Sequence, residues 1–328
     1  MNLLKQLYRI YSPSGMERTM IKFIWDYMKT IPDTKIETDK YGNLYITKGE
    51  SETYPCIAAH LDQVQRFHSK DFIAIETKDI IVGYSASTRR QEGLGADDKN
   101  GIWIALKCLE KYDILKAAFF VGEEVGCAGS SKARMDFFGD CRFVIEPDRK
   151  GYRDLITTIC RTSLCSGEFL KDTGYGSFGY QETDGMMTDI QALKERGLGI
   201  SCINLSCGYY EPHTDHEFTV KKDLLKCLGL VEYIIENCTK VYPHQADTNR
   251  NRKNPDYPFG EDYDEFEEAW DEIFEILELD PDLTADDVYD MYQTNFPSLG
   301  KEDFEQIYNE YFEYKTIKQQ RLWETGCM

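Results

Sequence analysis

Two pairs of carboxylates, Asp97-Asp98 and Glu123-Glu124, lie on either side of an apolar stretch near the middle of the chain. The apolar residues between them first recur at helical spacing, and residues 117–121 then form a short run typical of a strand. A strand that ends in Gly-Glu-Glu delivers carboxylates to the carboxyl edge of a sheet, where open α/β folds place their sites. These residues are therefore hard oxygen donors in a position to bind a ligand, although isolated pairs of this kind are commonly solvated loop charges.

Polar side chains also follow three other apolar runs that are predicted strands. They are, in chain order, His60 and Asp62, then Glu146 and Asp148, and finally His213. Two imidazoles and several carboxylates form a mixed nitrogen and oxygen set suited to zinc, or to manganese or cobalt. Such a set could hold two metals about 3.5–4 Å apart that share a bridging carboxylate and a bridging water. The set contains no cysteine, which argues against a structural thiolate site.

Five short motifs occur in order along the chain: HLD (60–62), GADDKNG (95–101), GEEVG (122–126), EPD (146–148) and GYYEPHT (208–214). In this order they resemble the co-catalytic zinc exopeptidases, which include peptidase T, carboxypeptidase G, glutamyl aminopeptidases and single-domain bacterial leucyl aminopeptidases. The early segments SPSG-x-E and D-x-YGNLY are similar to the amino-terminal region of the same enzymes. The resemblance spans about residues 8–240. Each motif is weak alone, but five in order, each at a strand end, are specific.

The resemblance implies a complete set of metal ligands. His60 and Asp148 would bind one metal. Glu124 and His213 would bind the other, and Asp97 would bridge the two. The implied cofactors are two divalent cations, zinc in the first place, with cobalt or manganese as alternatives.

The resemblance also implies catalytic roles for two further carboxylates. Asp62 would orient the ring of His60. Glu123 would be the general base that takes a proton from the metal-activated water and passes it to the leaving amine. The cations would lower the pKa of that water from 15.7 towards roughly 7.

Several residues near these motifs have a second interpretation. Glu146 competes with Asp148 as the ligand that follows its strand, and Asp148 is favoured. Asp98 is expected to support its loop or to cap the following helix. Thr188-Asp189 resembles a Ser/Thr-Asp segment of the same enzymes, yet it could equally be a helix cap. Glu217 is expected in an exposed loop, with a supporting role at the site as the alternative.

Strands alternate with helices along the first three quarters of the chain, which predicts a doubly wound α/β sheet. The resemblance implies an α/β/α sandwich around a central mixed sheet. The predicted helices cover 2–11, 15–30, 189–195 and 222–237, and the predicted strands include 35–38, 43–47, 55–59, 73–75, 80–82, 142–145, 155–159 and 200–205. Ser14 with Glu17 predicts a capping box for the second helix. Thr284 with Asp287 predicts an N-terminal cap for a helix that continues to about Tyr292.

Charge divides the chain into two parts. Residues 255–328 hold 22 acidic against 4 basic side chains, a net charge of −18, whereas residues 1–254 carry −2. The polar, proline-containing stretch 246–258 reads as a linker. We therefore expect a catalytic domain at 1–245 and a small acidic α-helical appendage at 259–328, which is a candidate for self-association or for docking a basic partner.

The spacing of the predicted ligands bears on this organisation. Many of the similar enzymes insert a lid or dimerisation domain between the first histidine and the bridging aspartate, or between the last carboxylate and the final histidine. Here His60 and Asp97 are 37 positions apart, and Asp148 and His213 are 65 apart. Neither interval has room for an extra domain of typical size.

Composition limits the classes of partner. The net charge of −20 argues against nucleic acid as a partner. No window approaches the length of a membrane span, and the N-terminal residues do not form a signal peptide. The 11 scattered cysteines contain no C-x-x-C pair, which fits free thiols in a reducing cytoplasm.

The sequence thus predicts a metal-dependent exopeptidase, in particular an aminopeptidase that acts on short peptides in the cytoplasm. The alternative is an amidohydrolase that removes acyl groups from amino acids with the same site. A third hypothesis is a catalytically silent binding or scaffold protein that acts through the acidic appendage, and the intact ligand set argues against it.

Overall fold

The structure is a computed structural model of the whole chain. It describes residues 1–65, 67–159, 162–185 and 187–246, together with 269, 273, 276–277, 283–293, 296, 299–309 and 311–312. Contacts divide the chain into two compact units, Met1–Thr248 and Asn249–Met328. The predicted linker at 246–258 lies, apart from Ala246, outside the described residues.

Helices and strands alternate in the described part of the first unit. The helices are α1 (Asn2–Tyr8), α2 (Arg18–Met28), α3 (Ala96–Lys111), α4 (Gly167–Thr173), α5 (Asp189–Glu195) and α6 (Lys221–Asn237). The strands are β1 (Thr34–Thr38), β2 (Leu44–Lys48), β3 (Tyr54–His60), β4 (Phe72–Glu76), β5 (Ile80–Ser85), β6 (Arg90–Gln91), β7 (Leu115–Phe120), β8 (Cys141–Arg149), β9 (Asp154–Ile159), β10 (Thr162–Ser163), β11 (Gln181–Gly185), β12 (Cys202–Ser206), β13 (Tyr209–Tyr210) and β14 (Phe218–Val220).

The central sheet is mixed, as predicted. Its strand order is β1-β2-β7-β3-β8-β12-β9-β10, with β11 paired to β9. The four inner strands β7, β3, β8 and β12 run parallel. Strands β1, β2 and β9 add antiparallel pairs on either side. Because parallel strands end at the same edge, the residues that follow β3, β7 and β8 are brought together.

Both faces of this sheet are buried, because successive side chains of β3 enter two different apolar cores. Ile57 and Ala59 belong to one apolar core, and Cys56 and Ala58 belong to the other. Helix α3 packs along β3, β7 and β8, and α5 packs on β3 and β12. The predicted α/β/α sandwich is confirmed.

A second, smaller sheet has the strand order β13-β14-β5-β4, with β6 paired to β5. It contains the predicted hairpin, in which Ile75 pairs with Val82. Strands β4, β5 and β6 come from the chain between His60 and Asp97, and β13 and β14 come from the chain after β12. Strand β14 pairs with β5, and β13 also contacts α3. The loop between β13 and β14, which carries His213, is therefore held by this sheet.

The predicted capping box at Ser14 is wrong. Helix α2 begins at Arg18, after Glu17, and has no side-chain cap. The Ser14 hydroxyl instead donates a hydrogen bond to Oδ2 of Asp62 (2.7 Å), and Oε1 of Glu17 accepts one from the backbone N–H of Gly122 (3.2 Å). Both side chains are engaged by residues distant in sequence, so they support the predicted site rather than the helix.

The described residues of the second unit form a core of their own. Its buried members are Ala269, Ile273, Leu277, Val288, Phe296, Phe304, Ile307 and Tyr311. Helix α7 (Ala285–Tyr292) begins with the predicted capping box between Thr284 and Asp287. The spacing of Tyr263, Phe266, Trp270, Ile273 and Leu277 predicts one apolar helical stripe, of which Tyr263, Phe266 and Trp270 lie outside the described residues.

Two properties of the described residues bear on the chain's environment. The nine described cysteines are free and buried. None of the described helices has the length and apolar character needed to span a membrane.

Candidate active site

The predicted site residues lie at the carboxyl edge of the inner strands. His60 is the last residue of β3, Glu123-Glu124 follows β7, and Asp148 lies near the end of β8. Asp97 is at the start of α3, and His213 is in the loop between β13 and β14. The fold brings all of them together.

Asp97 lies between the two histidines. Its Oδ1 is 3.0 Å from Nε2 of His60, and its Oδ2 is 3.3 Å from Nε2 of His213. Oδ1 of Asp148 is 3.6 Å from the same His60 atom, and Oε2 of Glu124 is 3.1 Å from the same His213 atom. We call His60, Asp97 and Asp148 the first half-site, and Asp97, Glu124 and His213 the second half-site.

The two half-sites fit divalent cations. In each, the potential ligand atoms lie within 4.8 Å of one another. Two ligand atoms bound at about 2.1 Å to a tetrahedral ion are about 3.4 Å apart, which is close to the separations described here. Oε1 of Glu124 is buried and accepts no hydrogen bond from the described residues, and a cation would satisfy it. The side chain of His213 is 48% exposed, so solvent reaches the second half-site.

The charge of the site is dominated by carboxylates. Hydrogen bonds to Asp97 and then Glu124 raise the pKa of His213 to about 10. Burial, followed by the charge of Asp97, raises the pKa of Asp148 to about 8. Neighbouring carboxylates contribute to both shifts, after burial in the case of Asp148, and bound divalent cations would displace the retained protons.

Asp62 connects the first histidine with the paired glutamates. Its Oδ1 is 3.3 Å from Nδ1 of His60 and accepts the backbone N–H of Glu123 (3.0 Å). Its Oδ2 accepts the backbone N–H of Glu124 (3.2 Å) and the hydroxyl of Ser14. Burial alone would raise the pKa of Asp62, but these partners outweigh it and lower the pKa. Asp62 is therefore a buried anion that holds the Gly-Glu-Glu turn and faces the imidazole of His60.

The turn before α3 places Asp97. Gly95 precedes the helix with a φ of 61°, and an added Cβ there would lie 2.7 Å from Nζ of Lys99. The peptide bond between Asp97 and Asp98 is cis. Asp98 points away from both half-sites: Oδ1 accepts the N–H of Gly101 (2.8 Å), and Oδ2 accepts the N–H of His60 (3.3 Å). These bonds agree with the expected supporting role of Asp98.

Asp148 rather than Glu146 faces the first half-site. Glu146 is fully buried and accepts hydrogen bonds from Oγ1 of Thr188 and from Nδ2 of Asn204 (3.1 Å). Asp148 accepts a hydrogen bond from the hydroxyl of Tyr209 at 3.3 Å. Thr188 does occupy the N-cap position of α5, but its side chain bonds to Glu146 instead of capping the helix.

Glu123 lies beside both half-sites without belonging to either. Ligand atoms of His60, Glu123 and Glu124 lie within 4.8 Å of one another. Burial raises the pKa of Glu123, and the charges of Asp148, Asp189 and Glu124 raise it further, against the opposing effect of His60. A carboxyl group that holds a proton readily, placed next to two cation sites, suits proton transfer.

Glu217 has the alternative interpretation from the sequence, a supporting position at the site. The expectation that Glu217 lies exposed is wrong, because it is 0% exposed. Its Oε1 accepts a hydrogen bond from the backbone N–H of Asp97 at 3.1 Å. Burial raises its pKa to about 7. An acidic residue in a polar segment, four positions after a predicted ligand, gives no signal of burial in the sequence.

The fold is similar to those of solved peptidases. An aminopeptidase PepT from Bacillus cereus is 15% identical, with a TM-score of 0.56 over 73% of this chain and 98% of its own. A tripeptidase from Staphylococcus aureus is 15% identical, with a TM-score of 0.57 over 72% and 97%. An aminopeptidase from the archaeon Desulfurococcus kamchatkensis is 18% identical, with a TM-score of 0.52 over 72% and 94%. At these identities the likeness establishes the fold, and it confirms the fold that the motifs predicted.

Sequence comparison adds nothing to this likeness. No family profile matches the chain, and no curated protein sequence matches it.

His68, in the segment between β3 and β4, makes the free energy of unfolding depend on pH. His68 stacks on Phe72 with ring centroids 4.1 Å apart, and burial lowers its pKa to about 4. Because the unfolded pKa is about 6.5, the unfolded state binds the extra proton between pH 6.5 and 4, so stability falls as the pH drops through this window. His68→Phe keeps the stacking on Phe72. Between pH 7 and 4.5 we expect its free energy of unfolding to fall by about 2 kcal/mol less than that of the native chain.

Urea unfolding at the two pH values measures this difference. His216→Gln, at an exposed position, is the control and should keep the native pH dependence. An unchanged pH dependence in His68→Phe would rule out His68 as its source.

Proposed function

We propose that this chain is a metal-dependent aminopeptidase that hydrolyses the N-terminal peptide bond of short peptides in the cytoplasm. It would use two divalent cations, zinc in the first place, with cobalt or manganese as alternatives. The observation that carries the proposal is Asp97, whose two carboxylate oxygens each face a different histidine, at 3.0 Å and 3.3 Å. A carboxylate shared in this way suits two adjacent cations.

In this proposal the half-sites hold the cations and orient the peptide. His60 and Asp148 serve one cation, and Glu124 and His213 serve the other. When bound, the cations polarise the scissile carbonyl and acidify a water molecule. The exposure of His213 supports entry of substrate on the side of the second half-site.

Glu123 is the proposed general base. Its carboxylate would accept a proton from the attacking water and deliver it to the nitrogen of the leaving amine. The backbone bonds from Glu123 and Glu124 to Asp62 hold the turn that carries this carboxylate, and Asp62 itself lies beside His60. Asp62 would thereby orient the His60 ring and the base together.

The solved structures named above support this choice of reaction, since each is described as an aminopeptidase or a tripeptidase. The proposed cytoplasmic location rests on the odd number of scattered cysteines in the sequence. We propose further that residues 1–245 contain the whole catalytic apparatus. The acidic residues 259–328 would then be free to mediate self-association or to dock a basic partner.

A substrate panel tests the proposed reaction. The metal-free chain, reloaded with zinc, cobalt or manganese in turn, is assayed on amino-acid anilides, tripeptides, the N-acetylated forms of both, and N-acyl amino acids. We expect hydrolysis of the substrates with a free amine, and loss of that hydrolysis on chelation.

A matched pair of variants controls the assay. His213→Ala should lose activity, whereas His216→Ala, exposed in the same loop, should retain it. Hydrolysis restricted to N-acyl amino acids would instead identify an amidohydrolase, and equal inactivity with and without metal would contradict an enzymatic role.

A further inference from the structure

A chain of buried hydrogen bonds runs behind Asp97. Nζ of Lys99 donates to Oε1 of Gln63, Nε2 of Gln63 donates to Oε1 of Gln65 (3.1 Å), and Nε2 of Gln65 donates to Oε2 of Glu217 (3.1 Å). The four residues are 1%, 1%, 6% and 0% exposed, in that order. Neutral amides thus connect a buried ammonium group to a buried carboxylate.

The hydrogen bonds at the two ends set the direction of this chain. Nζ of Lys99 donates to Gln63, Oε2 of Glu217 accepts from Gln65, and Oε1 of Glu217 accepts the N–H of Asp97. Each glutamine accordingly turns its oxygen towards Lys99 and its nitrogen towards Glu217. Reversing either amide would place two donors or two acceptors face to face inside the protein, where unsatisfied polar groups are destabilising.

The chain also ties together three of the five segments that carry the half-sites. Gln63 and Gln65 continue the segment of His60. Lys99 lies in the first turn of α3 and donates a second hydrogen bond to the carbonyl of Leu94 (3.1 Å). Glu217 lies in the loop of His213, and its other carboxylate oxygen accepts the N–H of Asp97 (3.1 Å).

A turn completes the connection to His213. The N–H of Glu217 donates to the carbonyl of Thr214, the residue after His213, at 3.3 Å. A displacement of Glu217 would therefore be transmitted both to the loop of His213 and to the backbone of Asp97.

We propose that Glu217 is a positioning residue that, through Gln65, Gln63 and Lys99, fixes the loop of His213 relative to Asp97. The inference rests on the proposed function, because it assigns these residues to the support of the two-cation site. Groups that orient ligands from behind typically change metal affinity about 10–100-fold when they are replaced. Asp97 belongs to both half-sites, but the loop of His213 serves only the second, so the effect should be larger for the second cation.

Glu217→Gln tests the proposal with an isosteric change. The new amide can still accept the N–H of Asp97, but it then presents its nitrogen to the nitrogen of Gln65. Turning Gln65 passes the conflict to Gln63 and then to Lys99, which has no acceptor to offer. We expect binding of the second cation to weaken about 10–100-fold, with the first affected less than about threefold.

The measurement is zinc titration of the metal-free full-length chain by calorimetry, with hydrogen exchange at the Asp97 amide as a readout that needs no metal. Exchange at this amide should be faster in Glu217→Gln than in the native chain. The double variant Glu217→Gln with Lys99→Met removes the end groups of the chain. Among the described residues, the N–H of Ser12 (3.3 Å) is then the one donor that still opposes reversal of Gln63, so the double variant should recover part of the lost affinity.

Lys48→Met controls for a general loss of stability. Lys48 is also buried and donates to the carbonyl of Leu109 (2.8 Å), but it lies on β2, which carries none of the half-site residues. We expect it to lower the melting temperature without changing zinc affinity.

The outcomes separate the two proposals. If the native chain binds two cations and Glu217→Gln binds both with native affinity, the positioning role is refuted and the proposed function stands. If Glu217→Gln weakens the binding of both cations equally, and Lys48→Met weakens it to the same extent, the hydrogen-bond chain only stabilises the fold and the positioning role is refuted. A native chain that binds no cation would overturn the proposed function and this inference with it.

Discussion

Replacement of Glu123 by glutamine will lower turnover by about a thousandfold while both cations remain bound, since a positioned general base typically contributes 10²–10⁴. The glutamine keeps the size of the side chain but cannot accept a proton from water. Glu123 belongs to neither half-site, so neither loses a ligand. The N–H groups that hold this turn against Asp62 belong to the backbone and survive the substitution.

Steady-state kinetics and elemental analysis of the same preparation measure both parts of this expectation. Glu52→Gln, at an exposed position before β3, is the matched control and should behave as the native chain. Native turnover in the Glu123 variant would remove the base from the mechanism, and loss of metal would make Glu123 a ligand instead.

Replacement of Asp97 by alanine will abolish detectable hydrolysis and weaken binding of both cations. Asp97 is the only one of the five proposed ligands that belongs to both half-sites, so its removal takes one oxygen from each. The four remaining ligands would face each other across a gap with no shared anion to offset the repulsion between two divalent cations. We expect at least about a hundredfold loss of affinity, more than replacement of a residue behind the ligands produces.

Metal titration of the Asp97→Ala chain provides the measurement, and Asp215→Ala, exposed in the loop of His213, is the control. Retention of two tightly bound cations in Asp97→Ala would contradict a bridging role. The two substitutions are distinguished by their metal content. Glu123→Gln should keep the metal and lose turnover, whereas Asp97→Ala should lose both.

The strand ends were predictable because their signal is local. His60 follows a run of apolar residues that is buried on both faces of the sheet, and a polar residue at the end of such a run must lie at the sheet edge. Asp148 follows the same rule on β8. The predicted boundary at residue 145 falls short, because β8 continues to Arg149 along its parallel partner β12.

The supporting residues were not predictable because their role is set by contacts that are distant in sequence. Ser14 and Glu17 have the spacing of a capping box, yet their side chains bond to Asp62 and Gly122. Lys99 has the appearance of a surface lysine on an amphipathic helix. The early part of α3 is buried all round, because α1, the central sheet and β13 cover it, and Lys99 is enclosed with it.

Anomalous diffraction at the zinc edge from a crystal of the zinc-loaded chain tests the central claim most directly. We predict two peaks about 3.5–4 Å apart on either side of Asp97, one beside His60 and Asp148 and the other beside Glu124 and His213. A single peak, or none between these side chains, would contradict the two-cation site on which the proposed chemistry depends.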